Sequence, residues 1–214
     1  TTTGFGLIAL GCNAASSNTQ GNANIALGYY ALRNNSTGSC NIALGFSAGN
    51  NVTGAWTTFL GTSAGKYATI ACHSIGIGCG ALAGTNTDAN TGCYNIALGR
   101  DAGTKMQTGS DNIFLGRCAG HCNTSGNSNI ALGCRAGFSL SSGLANNFLG
   151  LYAGYSNTTG NNNNFIGNLA GQYNTGSFSV ILGSSAGRCS TGGSNIFIGC
   201  LSGLESTGGH NIFL

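Results

Sequence analysis

The sequence predicts an all-β chain folded as a parallel β-solenoid, a β-roll, with one domain over residues 1–214. Three observations carry the prediction: one five-residue phrase returns along the whole chain, its returns are evenly spaced, and each place in the phrase keeps its residue type. The phrase is N-I-A-L-G at 24–28, 41–45, 95–99 and 129–133, with close variants at 112–116, 146–150, 163–167 and 195–199. Its closing glycine, taken as an index, falls at Gly11, Gly28, Gly45, Gly61, Gly78, Gly99, Gly116, Gly133, Gly150, Gly167, Gly183 and Gly199. The spacing is 16 or 17 residues, except for one of 21 between Gly78 and Gly99. A short fixed period signals a solenoid, and helical solenoids need ~33–47 residues per unit. Each unit is therefore one coil carrying one strand, about twelve coils in all, stacked at ~4.8 Å into a rod roughly 55–60 Å long.

Within a coil the elements follow in order. The opening residue is Asn in most copies (Asn24, Asn41, Asn95, Asn112, Asn129, Asn146, Asn163, Asn195, Asn211), and stacked amides would hydrogen-bond along the rod axis as in amyloid ladders. Two apolar columns follow. One is mostly Ile, interrupted by Thr58, Asn147 and Asn164; the other is always Leu or Ile, as at Leu27, Ile77 and Leu115. They are two residues apart and share a face of the strand, and the Leu column is the expected core. An Ala three residues after the index glycine (Ala31, Ala48, Ala186) would fit opposite it in a narrow coil. The next glycine (Gly49, Gly65, Gly103) and the T-G pair (Thr37-Gly38, Thr108-Gly109) supply the corners, where glycine permits positive φ.

The middle letter then faces the other way. It reads Ala26, Ala43, Phe59, Phe114, Phe148, Phe165, Ile181, Phe197 and Phe213, becoming more aromatic toward the C-terminus. A continuous exposed apolar stripe marks an interface, so these nine residues are the expected contact with a neighbouring chain. The alternative is a second interior face in a fatter coil.

The phrase N-I-A-L-G-x-x-A-G…T-G resembles repeats of bacteriophage and other viral tail-fibre proteins. It is also similar to the N-S-V-A-I-G repeats in the heads of trimeric autotransporter adhesins. The resemblance covers the chain from Gly4 to Leu214. It implies left-handed parallel β-rolls packed side by side, the middle-letter column turned to neighbouring chains, and binding to extracellular surfaces.

Composition narrows the function. Charged residues are 5% of the chain and hydrophobic ones 41%, so the chain has apolar residues to bury and does not read as disordered. A net charge of +3 gives no basis for charge-driven nucleic-acid binding, and no stretch approaches the ~20 apolar residues of a membrane span. The four acids (Asp88, Asp101, Asp111, Glu205) and three histidines (His73, His121, His210) are scattered. No catalytic set or cofactor site is expected, and the chain reads as a non-enzyme.

Ten cysteines suggest an oxidising, extracellular setting. Cys72 and Cys93 hold the same column in adjacent coils; Cys118 and Cys134 are neighbours one column out of step. Both pairs are disulfide candidates, with a zinc site around C-A-G-H-C at 118–122, or free thiols, as alternatives. Asn34, Asn35, Asn51, Asn123 and Asn157 open N-x-S/T sequons at corners, where a glycan would be accommodated, although the same letters are ordinary turn chemistry. The bulge at 85–92 is a candidate binding loop, with Tyr67, His73, Asp88 and Tyr94 gathered near it. Arg100 and Arg117 share a column as a faint basic stripe.

The functional expectation is a structural subunit of a fibre or filament, outside the cell or on a virion or cell surface. Copies of the chain are its partners, as a trimer or a filament, with a surface receptor or glycan as a further one. The alternative is an ice-binding or other surface-binding solenoid, which needs flat ranks of Thr; only one Thr per coil recurs, at a corner (Thr37, Thr108, Thr191).

Overall fold

The computed structural model describes residues 4–214 and contains no helix among them. Short parallel strands, from β1 (Ile8–Leu10) to β13 (Ile212–Phe213), pair in chain order into one 13-stranded sheet. The chain is a β-solenoid of about twelve turns. Coils are numbered 1 to 12 here by their index glycines, Gly11 to Gly199. The register never slips: Ile8 lies beside Ile25, Leu44 beside Leu60 across a shortened coil, and Ile77 beside Leu98 across the long one. Length changes are absorbed in the corners because a one-residue slip in a strand would turn every side chain to the wrong face.

The two faces of the strand are the reverse of the expectation. Ala26, Ala43, Phe59, Phe114, Phe148, Phe165, Ile181 and Phe197 are fully buried inside the coil; the column is exposed at the two end strands, at Ala9 and at Phe213. The Ile and Leu columns point outward, most of their residues half-buried by neighbours above and below and some exposed, such as Ile75, Leu115 and Ile166. The middle-letter residues are therefore not the contact surface. The cause is parity. The opening Asn is also buried, and the middle letter, two residues on, shares its side of the strand.

The inside is filled by volume compensation between the middle letter and the residue four places after the index glycine. Where the middle letter is Phe, that residue is Gly: a Cβ at Gly65 would lie 2.5 Å from Phe59 and one at Gly154 2.5 Å from Phe148. Where the middle letter is Ala26 or Gly76, the same place carries a buried Leu32 or Leu82. At Ala43, Ala97 and Ala131 the place is Gly again, and Leu or Phe side chains of adjacent coils (Leu32 and Phe59 beside Gly49, Leu82 and Phe114 beside Gly103, Phe148 beside Gly137) occupy the space. The Ala column is buried from Ala31 to Ala186 as expected, but inside with the middle letter rather than opposite the outward Leu column. Each buried Phe contributes about 1.5–3 kcal/mol relative to exposure.

The Asn column forms the expected ladder. The Oδ1 of Asn112 accepts from the backbone N–H of Asn129 at 2.9 Å, and its Nδ2 donates to the carbonyl of Gly126 at 2.8 Å, the glycine corner of the next coil. The same bonds recur along the column. Where Asn is missing, Thr57 and Ser179 join it by donating their N–H groups to Asn41 and Asn163. The ladder pairs buried polar backbone that would otherwise be left unsatisfied.

The corners differ from the expectation in one respect. The index glycines sit at φ 125–138 and the glycines four residues later near φ 55–60. The T-G glycines at Gly92 and Gly109 have ordinary φ; they are glycine because a Cβ would press on the carbonyl of the next coil's glycine. Two other corner columns hold non-glycine residues at positive φ, among them Trp56, His73 and Tyr94 in one and Tyr30, Arg135 and Tyr152 in the other.

Candidate interaction surface

The outer face of the sheet carries two apolar columns side by side along the rod. Ile25, Ile42, Ile96, Ile113 and Ile130 stand in one; Leu27, Leu44, Leu98, Leu115 and Leu132 stand in the other. Three-residue strands leave two side chains outward and one inward, so every coil repeats the same pair. The face is continuous over the whole sheet because the register is unbroken. Its interruptions are polar: Thr58 in coil 4, then Asn147 and Asn164, whose amides are joined by a 2.8 Å hydrogen bond.

Two columns flank this face. On one side lies the residue just after each index glycine. It includes Arg100, whose Nε is 3.3 Å from Asp101, and Arg117, whose Nη2 donates to the Cys134 sulfur at 3.3 Å. That bond holds the Arg117 guanidinium above its ordinary pKa. The expected basic stripe is thus two arginines, each engaged with its own neighbour.

On the other side lies the positive-φ column just before the opening Asn. Here Trp56, His73 and Tyr94 stack ring on ring, with centroids 6.1 and 5.1 Å apart and planes within 6°. Of the four residues expected to gather at the bulge, only His73 and Tyr94 meet, and Trp56 joins them instead. Asp88 accepts hydrogen bonds from Thr85 and Thr87 of its own turn, and the Tyr67 carbonyl receives the N–H of Asn90 where the bulge rejoins the coil.

Beside the aromatic stack, Cys72 and Cys93 form a disulfide with Cα atoms 4.7 Å apart. They replace a second polar ladder in their column, in which Ser110 N–H donates to Asn127 and Leu144 N–H to Asn161, each at 2.7 Å. The other candidate pair is a correction: Cys118 and Cys134 are both free. Same-column cysteines in adjacent coils meet the Cα separation of ~4.4–6.8 Å that a disulfide requires; Cys118 and Cys134 are a column out of step. No group of three metal-ligating side chains occurs among the described residues, and the His121 ring stacks on Phe138 at 5.0 Å.

Three sequons are also corrected. Asn35, Asn123 and Asn157 are fully buried, their amides donating to corner or neighbouring carbonyls such as Gly38 and Gly126. An amide held inside the coil has no room for a glycan. Asn34 is exposed and Asn51 half-buried, and they hydrogen-bond to each other across adjacent coils.

No protein-family model, curated protein or solved structure matches this chain. The surface has to be read from its own geometry.

The sequence held the signal for the correct face. The pairing of Phe59 with Gly65, and of Gly76 with Leu82, is compensation between residues that share one confined space. A column that faces a partner has no reason to vary against a residue across the coil.

Proposed function

We propose that the protein is a structural subunit of an extracellular fibre or filament, a rigid rod whose copies associate side by side, end to end, or both. The observation that carries this reading is the apolar outer face of the sheet, an unbroken Leu/Ile column beside an Ile column interrupted only at Thr58, Asn147 and Asn164, held in one continuous register. A coil filled from within by Phe, Ala and Leu has no internal need for a uniform outer face. Contiguous apolar patches larger than a few hundred Å² are uncommon on monomers and mark interaction surfaces. The resemblance to tail-fibre and adhesin-head repeats supports the same reading, as does the low charge, 5% of residues, which suits a rod buried in an assembly.

Electron microscopy and sedimentation of the purified chain test it. Assemblies of rods are expected at micromolar concentration. The variant Leu98→Asn/Leu115→Asn is expected to give monomeric rods with an unchanged β-sheet circular-dichroism spectrum. A wild-type chain that stays monomeric would overturn the reading. Freezing-point depression by that dilute monomer would favour ice binding in its place.

A further inference from the structure

We infer that the lateral unit is a two-fold dimer in which two copies pack sheet face to sheet face with their rods antiparallel. This rests on reading the Ile/Leu face as the seam between rods and adds its symmetry and register. Over twelve coils the face is roughly 55–60 Å long and about 15 Å wide. Covering it buries on the order of 800 Å² per chain, the size of a standard specific interface.

Two facing sheets can be related by a two-fold axis in two ways. If the axis runs along the rod, each coil meets the same coil of the second copy, and the column after the index glycine meets the column before the Asn. If the axis crosses the rod, coil 1 meets coil 12, coil 2 meets coil 11, and each flanking column meets its own kind.

The cysteines choose the second arrangement. The column after the index glycine holds four of them, Cys12, Cys79, Cys134 and Cys200, in coils 1, 5, 8 and 12. All four are free, three of them exposed. Their places are symmetric about the middle of the rod. A dyad between coils 6 and 7 sets Cys12 opposite Cys200 of the second copy and Cys79 opposite Cys134 of the second copy.

Other columns fit the same dyad. The break at Thr58 in the Ile column meets the break at Asn147, polar against polar. In the column before the Asn, the bulky side chains meet small or polar ones: Trp56 faces Ala145, Phe178 faces Ala23, and the Tyr94 hydroxyl faces Asp111. Two pairs are less well matched. Asn164 faces Ile42, its Oδ1 already accepting from Asn147, and Arg100 faces Arg117 at the rim, with Asp101 beside Arg100.

A thiol-specific bis-maleimide with an arm of about 10 Å, the usual separation of packed sheets, tests the register on the full-length chain. A mixture of isotopically light and heavy protein is cross-linked, digested and read by mass spectrometry. The expected result is light–heavy links joining Cys79 to Cys134 and Cys12 to Cys200. Cys134→Ser should abolish the first link and leave the second. The Cys79–Cys134 link decides, because end-to-end stacking would also bring Cys200 near Cys12 of the next rod. Assemblies without a light–heavy Cys79–Cys134 link, a trimer included, would overturn the antiparallel dimer and leave the fibre reading standing. Monomeric rods would overturn both.

Discussion

The two sides of one strand follow different rules. Inside, the middle letter ranges from Gly76 to Phe148, and its size is balanced either across the coil, as in Phe59 with Gly65 and Gly76 with Leu82, or by the coils above and below, as where Phe148 reaches the space beside Ala131 and Gly137. Outside, the Leu column holds Leu or Ile in every coil whatever lies within. Variation with compensation marks a confined volume that must be filled to crystal-like density. Uniformity without an internal partner marks a surface that must look the same to something beyond the chain. Neither hydrophobicity nor periodicity separates the two, since both sides are apolar and both repeat with the coil.

The contrast breaks first if the inside is emptied. Phe148→Ala leaves a ring-sized cavity between Phe165 and Gly154 and is expected to cost about 3–5 kcal/mol in urea unfolding. Leu149→Ala, one residue on and half-buried, should cost under about 1.5 kcal/mol while weakening assembly. Equal losses would reverse the assignment of faces.

The polar ladders make a smaller contrast of the same kind. Asn129 is buried with its amide bonded to Gly143, Asn112 and Asn146. Asn129→Ala strands those groups away from water and should lose about 2 kcal/mol. Asn161 lies in the outer ladder and accepts the Leu144 N–H at 2.7 Å. Water can replace that bond, so Asn161→Ala should lose less than about 1 kcal/mol; matching losses would mean that the outer ladder is as dry as the inner one.

The finest test uses the thiols. Burial pushes the Cys122 thiol above its ordinary pKa, against a weaker downward pull from Lys105. A raised pKa means less thiolate near neutral pH, so Cys122 should alkylate several-fold more slowly than the exposed Cys12 when iodoacetamide labelling is followed by mass spectrometry. Its rate should rise with pH into the alkaline range. A Cys122 that labels as fast as Cys12 would contradict its half-buried place on the coil wall.

Much of the fold is legible in the sequence, for identifiable reasons. The index glycines give the coil count because each needs a backbone that a Cβ forbids, with φ near 130 and the next coil's carbonyl pressed close, as at Gly28. The Asn column is readable because an amide has one economical use at the start of a stacked strand. Cys72 and Cys93 are readable because equal column positions become neighbours. The candidate surface was harder. A strand of three residues offers no long alternation to read, and both of its sides are apolar. The sequons at Asn35, Asn123 and Asn157 mislead for a related reason, since the same amide that suits an exposed turn also suits an inward corner.

The sequence by itself determined the architecture: a stack of single-strand coils, its register, its axial amide ladder and the tolerance of its corners to added length. These follow from local chemistry repeated in place, where each residue's role is set by its own coil and the next. Only the tertiary structure decided which side of the strand is inside. That choice depends on how Asn, the middle letter, Ala and the corner residues close around one shared volume. With it the structure moved the apolar stripe from Ala26 and its column to Ile25 and Leu27, because the inward Asn fixes the parity: turned outward, it would strand the backbone N–H and corner carbonyl it satisfies inside the coil, which costs more than a Leu left half in water.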